Sequence, residues 1–307
     1  MAEVAALLLN WQQPALTERC LQDLVECATA GLRVVVIDNG SLDDSPQRLA
    51  KAVASARTKG LDAELLRLGD NTGFTGGMNA GFRRAAETGC EFSLVLNNDM
   101  RLGKGFLEPL VEAMQNDPRI GAITPTVVYP DGRVWAQGGR LAFCPNGLRL
   151  CGHGERPAPI NAGPEAVDFA PGACALFRTA DVTDLGGFDD RYFMYWEDVE
   201  LCRRIALLGK RIVWLPWVRV THLGGVSGGG GASQLRKFLM AKNSVRYLRS
   251  HGSLRGWAAL LLGDVLSLPL LLLRGSKSFT AKASGLLAGF RGSASTAADV
   301  ARWRQPS

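Results

Sequence analysis

The chain has 307 residues, 47% of them hydrophobic, with a net charge of +6 and seven cysteines at scattered positions. That size and apolar content exclude a disordered protein and fit one large α/β domain or two smaller ones. An odd number of unpatterned cysteines excludes a disulfide framework and points to a reducing compartment.

The charge is divided unevenly. From Leu235 to Ser307 twelve basic residues accompany two acids, a balance of +10, and the remaining 23 basic and 27 acidic residues carry −4. Such polarity argues against a nucleic-acid-binding catalytic domain and for a tail that meets an anionic surface, such as a phospholipid headgroup layer. Only Met1, Ala2 and Glu3 precede the first apolar run, so no signal peptide is expected.

Val4 to Leu9 reads as a buried strand ending at Asn10 and Trp11. Leu16, Cys20, Leu21, Leu24 and Cys27 follow at helical spacing until Gly31, and Arg33 to Asp38 forms a second buried strand, so the chain opens as a βαβ unit. Asp38 and Asn39 then stand at the carboxyl edge of the sheet, where doubly wound folds bind ligands. An acid there either caps a turn or accepts the N3 proton of a uracil or thymine ring, with Trp11 offering a face for the base to stack on.

A third strand, Glu64 to Leu68, runs into a loop with Asn71, Gly73, Gly76, Gly77, Asn79 and Gly81, followed by a helix carrying Met78, Phe82 and Ala85. The loop matches neither GxGxxG nor GxxxxGK[ST], yet glycines at a helix start let a ligand approach the backbone and present amides to an anion. Phe92 to Leu96 is the next strand, and Asn97, Asn98 and Asp99 close it before an amphipathic helix, Phe106 to Met114. A divalent metal on a diphosphate needs only one or two protein carboxylates, so Asp99 suffices for that task; the competing reading is an Asx-rich turn.

Between Ile120 and Asp168 short strand-like pieces alternate with turn chemistry at Pro130-Asp131-Gly132 and Pro145-Asn146-Gly147. Hairpins that cover the site, rather than more of the main sheet, are expected there. Cys144, Cys151 and His153 lack the CxxC pair of a zinc site. Gly172 to Arg178 returns to strand character.

The stretch from Phe188 to Arg204 places Phe193, Tyr195 and Trp196 directly before Glu197 and Asp198, which open a helix whose apolar face carries Val199, Cys202, Ile205 and Ala206. The helix dipole alone favours acids in a first turn, whereas the aromatic approach suits a partly desolvated general base. Arg211 to Leu215 and Val218 to Val220 are strand-like and lead to His222. A neutral imidazole at a strand end is a reasonable metal ligand, and the glycine-rich segment from Gly224 to Ser233 has the composition of a lid or of a plain linker.

In the tail, Gly256 to Leu273 has the hydrophobicity of a membrane segment but contains Asp264 and Pro269 and barely reaches spanning length. Arg246, Arg249 and Arg255 precede it and Arg274, Lys277 and Lys282 follow, a pattern that favours an interfacial or re-entrant helix on an anionic cytoplasmic leaflet. A buried helix of the fold or a dimer interface is the alternative.

Taken together the segments NWQQ, VVVIDNGSLDDS, NTGFTGGMNAGF, LVLNND, GACALFR, FMYWEDVELCRR and THLGG resemble, in order and over residues 4 to 250, a family 2 glycosyltransferase of the bacterial rhamnosyltransferase-like branch. The resemblance implies an α/β GT-A fold, a Rossmann-like nucleotide-binding mixed sheet flanked by helices, over residues 1–234, and a basic, helical, membrane-associated extension over 235–307. It implies Asn10, Trp11 and Asp38 at the nucleotide base, and Asn71, Gly73, Phe74, Gly77, Asn79, Asn97 and Asn98 along the nucleotide sugar. Gly172 and Trp196 would meet the acceptor, Asp99 and His222 would hold Mg²⁺ or Mn²⁺, and Asp198 would be the base, with Glu197 as the alternative. Family members often have tyrosine at Trp11 and asparagine at Gln12, and Asn97 and Asn98 replace the acids of a fuller DxD motif.

These roles imply in-line, inverting transfer of a sugar, rhamnose from dTDP-rhamnose by preference, onto a hydroxyl of a glycan or lipid-linked glycan in cell-envelope polysaccharide synthesis, at the cytoplasmic face of the membrane. A UDP-sugar-dependent galactofuranosyl or hexosyl transferase is the nearest alternative, and a homodimer is compatible with the sequence. A nucleotidyltransferase would show a basic glycine-rich phosphate loop after Leu9, and none is there. A non-catalytic nucleotide-sugar-binding membrane module would need none of Asp99, Asp198 and His222.

Overall fold

The structure is a computed structural model that describes residues 3–144, 147–157, 159, 163–224, 233–274 and 276–303. Strand β1 (Val4–Asn10) and strand β2 (Leu32–Asn39) are buried on both faces, as parallel strands covered by helices on each side must be. Helix α1 (Pro14–Glu26) begins on a proline, whose fixed φ suits a first helical position, and lays Thr17, Cys20, Leu21 and Leu24 against the sheet. Helix α2 (Ser45–Thr58) leads to β3 (Asp62–Leu68), and α3 (Gly73–Glu87) leads to β4 (Phe92–Asn97). Strand β1 pairs in parallel with β2 and with β4, and β2 with β3, so the strand order reverses at β1. A crevice opens at such a reversal, outside the carboxyl ends of β1 and β4.

The glycines of α3 serve this packing. A Cβ on Gly77 would lie 2.5 Å from Leu9 Cδ1, and one on Gly81 would lie 2.8 Å from Ile37 Cδ1. Both glycines therefore bring the helix onto the sheet and are closed to a ligand.

The chain continues through β5 (Met100–Arg101), α4 (Glu108–Asn116), β6 (Ile120–Val128), β7 (Val134–Ala136), β8 (Gly139–Leu141), β9 (Leu148–Leu150), β10 (Glu165–Val167) and β11 (Cys174–Arg178). It then forms α5 (Thr179–Asp184), α6 (Glu197–Leu207) and β12 (Arg211–His222). The main sheet runs β10-β12-β6-β11-β4-β1-β2-β3, with β5 on β12 and β7 on β6. The expectation of hairpins outside the sheet between Ile120 and Asp168 is thus corrected: β6 is an interior strand, parallel to β12 and antiparallel to β11, and only β8 and β9 form a separate hairpin. Its polar residues are absorbed locally, because Thr124 Oγ1 donates to Cys174 O at 2.9 Å and Thr126 Oγ1 donates to Pro216 O at 3.2 Å. The two strand pieces read after Lys210 are one strand, β12, whose register shifts between Leu215 and Arg219.

Apolar side chains fill both sides of the sheet, with α1, α2 and α4 on one and α3, α5 and α6 on the other. Helix α6 buries Val199, Leu201, Cys202 and Ile205, while Ala206 is exposed.

Beyond β12, α7 (Gln234–His251), α8 (Leu254–Leu260), α9 (Ser276–Arg291) and α10 (Ala297–Trp303) follow. The charge boundary at residue 235 is not a packing boundary, because Met240 and Tyr247 of α7 belong to the same core cluster as Trp196 and Val199. Gly285 and Gly289 let α9 lie on α7: a Cβ there would meet Phe238 O at 2.3 Å and Lys242 O at 2.6 Å. Two cations expected to face headgroups point inward instead. Arg246 donates to the carbonyl of Ser293, and Lys282 pairs with Asp264 at 2.6 Å. Asp264 is therefore off the apolar face, and residues 254–272 are long and apolar enough to cross a membrane by length and composition only, with 17% of their most apolar stretch buried.

One residue of α7 controls the approach to α6. Asn243 is fully buried, and its Nδ2 donates to the carbonyls of Tyr192 at 3.0 Å, Met194 at 2.9 Å and Tyr195 at 2.9 Å. Ser295 Oγ donates to Asn243 Oδ1 at 3.2 Å from the far side. The segment so held is strained: Phe193, Tyr195 and Trp196 have φ of 63°, 68° and 75°, a region that non-glycine residues occupy only when their surroundings impose it. Replacing Asn243 with alanine removes this donor from the half-buried carbonyls of Met194 and Tyr195, while Tyr192 O keeps the N–H of Met194, and a loss of about 1–3 kcal/mol is expected. Urea unfolding of Asn243→Ala against wild type measures it, and an unchanged midpoint would remove the residue from this role.

Candidate active site

Five side chains tie the ends of β1, β2 and β4 together. Asn10 Nδ2 donates to Asp38 Oδ1 at 3.0 Å and to Ser41 Oγ at 3.2 Å, Thr17 Oγ1 donates to Asn10 Oδ1 at 2.9 Å, and Asn98 Nδ2 donates to Thr17 Oγ1 at 3.0 Å. Asn10, Asp38 and Asn98 are all buried, so Asn10 and Asn98 act within the protein framework that orients Asp38. Trp11 is half-buried, and the backbone N–H of the next residue, Gln12, donates to Ser41 Oγ at 2.9 Å with φ of 55°.

Asn39 organises the following loop. Its Oδ1 accepts from Thr72 N at 3.0 Å and Thr72 Oγ1 at 2.9 Å, while its Nδ2 donates to Asn71 Oδ1 at 3.2 Å and Gly73 O at 2.9 Å. Gly73 has φ of 76°, and a Cβ there would lie 2.5 Å from Phe193 O, so only glycine fits. Gly77 is packed on Leu9 as described, and Asn79 is taken up by the protein as well: it donates to Phe188 O and Asp190 Oδ1, each at 2.8 Å, and accepts from Phe188 N at 2.8 Å. Neither residue has an atom left for a nucleotide. Phe74 is half-buried beside Phe188, with ring centroids 6.0 Å apart.

Asp99 and His222, distant in sequence, meet because β5 pairs with β12 and places His222 opposite Met100. His222 Nε2 lies 3.1 Å from Asp99 Oδ1. The two atoms lack hydrogen-bond geometry, and Asp99 Oδ1 and His222 Nδ1 have no hydrogen-bond partner among the described residues. A buried carboxylate oxygen and an imidazole nitrogen that converge without bonding suit a shared cation. Trp135, which the sequence did not single out, packs edge-on against His222 with centroids 4.7 Å apart. No group of three or more acidic, histidine or cysteine ligands occurs among the described residues, so a cation here would complete its coordination with ligand oxygens and water. Residues 225–232 of the expected lid lie outside the described residues.

Asp198 reaches the same sheet edge by a short chain of bonds. Its Oδ2 accepts from Gly172 N at 3.0 Å, and the next residue, Ala173, accepts through its carbonyl from Asn97 N at 2.9 Å, two residues before Asp99. Its Oδ1 accepts from Val199 N at 2.8 Å. Burial pushes the Asp198 carboxyl above the ordinary aspartate range, and the bonds from Gly172 and Val199 oppose that shift. Glu197 is raised well above its usual range, first by burial and then by the charge of Asp198, and its Oε2 has no hydrogen-bond partner among the described residues. Trp196 is buried with its ring 4.9 Å from Tyr247. Asn243 also escaped the sequence reading; a polar residue on a helix face otherwise shared by Leu239, Met240 and Tyr247 was the available signal.

The arrangement has known counterparts. The profile described as "Glycosyl transferase family 2" matches residues 10–186. An N-acetylglucosaminyl-diphospho-decaprenol L-rhamnosyltransferase of Mycobacterium tuberculosis is 29% identical over 226 residues, 67% of this chain and 71% of the relative. Among solved structures, a mannosyltransferase from Pyrobaculum calidifontis in complex with GDP-Man and Mn²⁺ superposes with a TM-score of 0.60 at 18% identity, covering 93% of this chain and 87% of its own. GalNAc-T7 with UDP, GalNAc and Mn²⁺ superposes with a TM-score of 0.67 at 14% identity, covering 100% of this chain and 59% of its own. With more than half of its length matched by the family profile and a mixed sheet of GT-A type, this chain belongs to glycosyltransferase family 2.

Proposed function

We propose that the protein transfers a sugar, rhamnose from dTDP-rhamnose by preference, onto a hydroxyl of a lipid-linked glycan with inversion at the anomeric carbon. The observation that carries this reading is the bonded path from Asp198 through Gly172 and Ala173 to Asn97, which supports a base and a cation site at one sheet edge. The rhamnosyltransferase relative of Mycobacterium tuberculosis supports the choice of sugar and of a lipid diphosphate acceptor.

Asp99 and His222 would hold Mg²⁺ or Mn²⁺ with the donor diphosphate. When bound, that ion stabilises the negative charge that appears on the departing diphosphate. Asp38 offers its carboxylate to the N3–H of a thymine or uracil, so it does not distinguish dTDP-rhamnose from a UDP-sugar. Asp198 accepts the proton of the attacking hydroxyl, and the amides of Gly172 and Val199 hold both of its oxygens in place. Glu197 stays protonated beside it, which keeps a second negative charge away from the base. The exposed leucines of residues 254–272 and the cations around them support attachment to the cytoplasmic face of an anionic membrane.

Asp198→Asn is expected to lower kcat by about 10²–10⁴-fold while the nucleotide still raises the melting temperature in Mn²⁺. Near-normal turnover in that variant would transfer the role of base elsewhere. Asp99→Ala should abolish the metal-dependent part of the nucleotide-induced shift, read by differential scanning fluorimetry with a panel of dTDP- and UDP-sugars; a shift that survives both the substitution and EDTA removes the cation site.

The raised carboxyl of Glu197 carries a stability consequence. Between the ordinary glutamate range, about 4.3, and its own raised value the folded state binds more protons than the unfolded one, so this group's contribution to stability falls as pH rises. Glu197→Gln should therefore gain stability relative to wild type as pH increases through that window and retain most activity. A melting-temperature difference that is flat with pH would contradict burial of a titrating acid.

A further inference from the structure

Between the β8–β9 hairpin and the C-terminal helices lies a cavity of about 150 Å³. Leu141 and Phe143 line it from the hairpin, Tyr247 and Leu260 from the helices, and Trp196 joins it to the residues that open α6. We infer that this cavity is the subsite for the lipid diphosphate of the acceptor, with Arg255 receiving the phosphate oxygens and the lipid chain lying along Phe143 and the leucines of residues 254–266. The inference rests on the transferase reading and adds to it the place where the acceptor's carrier is recognised.

Three features select that ligand chemistry. Arg255 is exposed at the cavity and has no ion-pair or hydrogen-bond partner among the described residues, whereas the carboxylate in the lining, Asp264, is neutralised by Lys282 at 2.6 Å. An anion entering here therefore meets an unopposed guanidinium, whose fork matches phosphate oxygens. Trp196 adds an aromatic ring to the lining, and its buried indole N–H has no acceptor among the described residues. Finally, the apolar side chains do not end at the cavity. Phe143 on the hairpin and Leu254, Leu261, Leu262 and Leu266 on the helix are exposed, forming a track for a chain too long to fit inside.

Continuity with the catalytic residues separates a carrier lipid from a bulk membrane headgroup. Trp196 both lines the cavity and directly precedes Glu197 and Asp198, so a diphosphate bound at Arg255 would direct the sugar it carries toward the base. A headgroup that stays in the membrane plane has no use for that passage.

Farnesyl diphosphate in EDTA is the probe, because chelation disables the proposed donor cation site. Wild-type protein is expected to bind it at least about tenfold more tightly than farnesol or inorganic diphosphate, and Arg255→Glu and Phe143→Asp should each weaken binding about tenfold or more. Both residues are exposed, so folding is preserved, and the nucleotide-induced shift in Mn²⁺ should persist in both variants. Equal binding by either variant, equal binding of inorganic diphosphate, or equal competition by phosphatidylglycerol vesicles per phosphate would each overturn the proposal. Loss of the nucleotide shift in wild type with farnesyl diphosphate binding intact would remove the transferase reading and leave the cavity assignment standing.

Discussion

Asp198 is tied to the strand end that carries Asp99 because β11 runs antiparallel beside β4. That pairing brings Ala173 to Asn97, and the amide of Gly172 immediately before it captures Asp198. The remaining parts of the site depend on this contact. Without it Asp198 would lose its amide partner beside the end of β4. Gly172 suits the position through its small size: a Cβ there would lie 3.3 Å from the ring of Phe74, a tight contact to which the ring would have to yield by a few tenths of an ångström.

A second constraint acts from the C-terminal side. The three positive φ angles at Phe193, Tyr195 and Trp196 store strain of order 1–3 kcal/mol each, and the amide of Asn243 helps to offset it by donating to the carbonyls of this segment. Asn243 is itself held by Ser295, whose backbone N–H donates to Arg191 O at 2.9 Å. The C-terminal helices thus brace the loop that aims Asp198. The tail's positive charge is correspondingly smaller at the surface than in composition, since Lys242 pairs with Asp299 at 2.8 Å, Lys282 with Asp264, and Arg246 is buried.

The β1–α1–β2 unit, the strand ends at Asp38 and Asn97, and the acids opening α6 were legible because each lies where an apolar period stops and a polar cluster begins. Strand β6 was legible as strand-like but not as an interior strand, because Thr124, Pro125 and Thr126 interrupt its apolar run, and only the neighbouring strands that receive those hydroxyls reveal why it is buried. Gly77 and Asn79 misled for the opposite reason. A glycine that admits a ligand and a glycine that admits a leucine have the same letter, and an asparagine that binds a sugar looks like one that holds a turn. The cations of the tail misled similarly, since a pattern of charges along a chain does not say which of them find partners inside.

The acids of the first turn of α6 can be weighed against their simplest explanation. A helix dipole stabilises an exposed acid at an N-terminus by roughly 0.3–1 kcal/mol. Burial of a charge costs several kcal/mol after relaxation, so a dipole cannot by itself justify withdrawing two neighbouring carboxyls from water. Glu197 is buried with an oxygen lacking a partner among the described residues, and Asp198 is half-buried with both oxygens bound to amides. The balance therefore favours the neutral form on Glu197, and the ionised form of the pair on Asp198, whose two oxygens are held by amides.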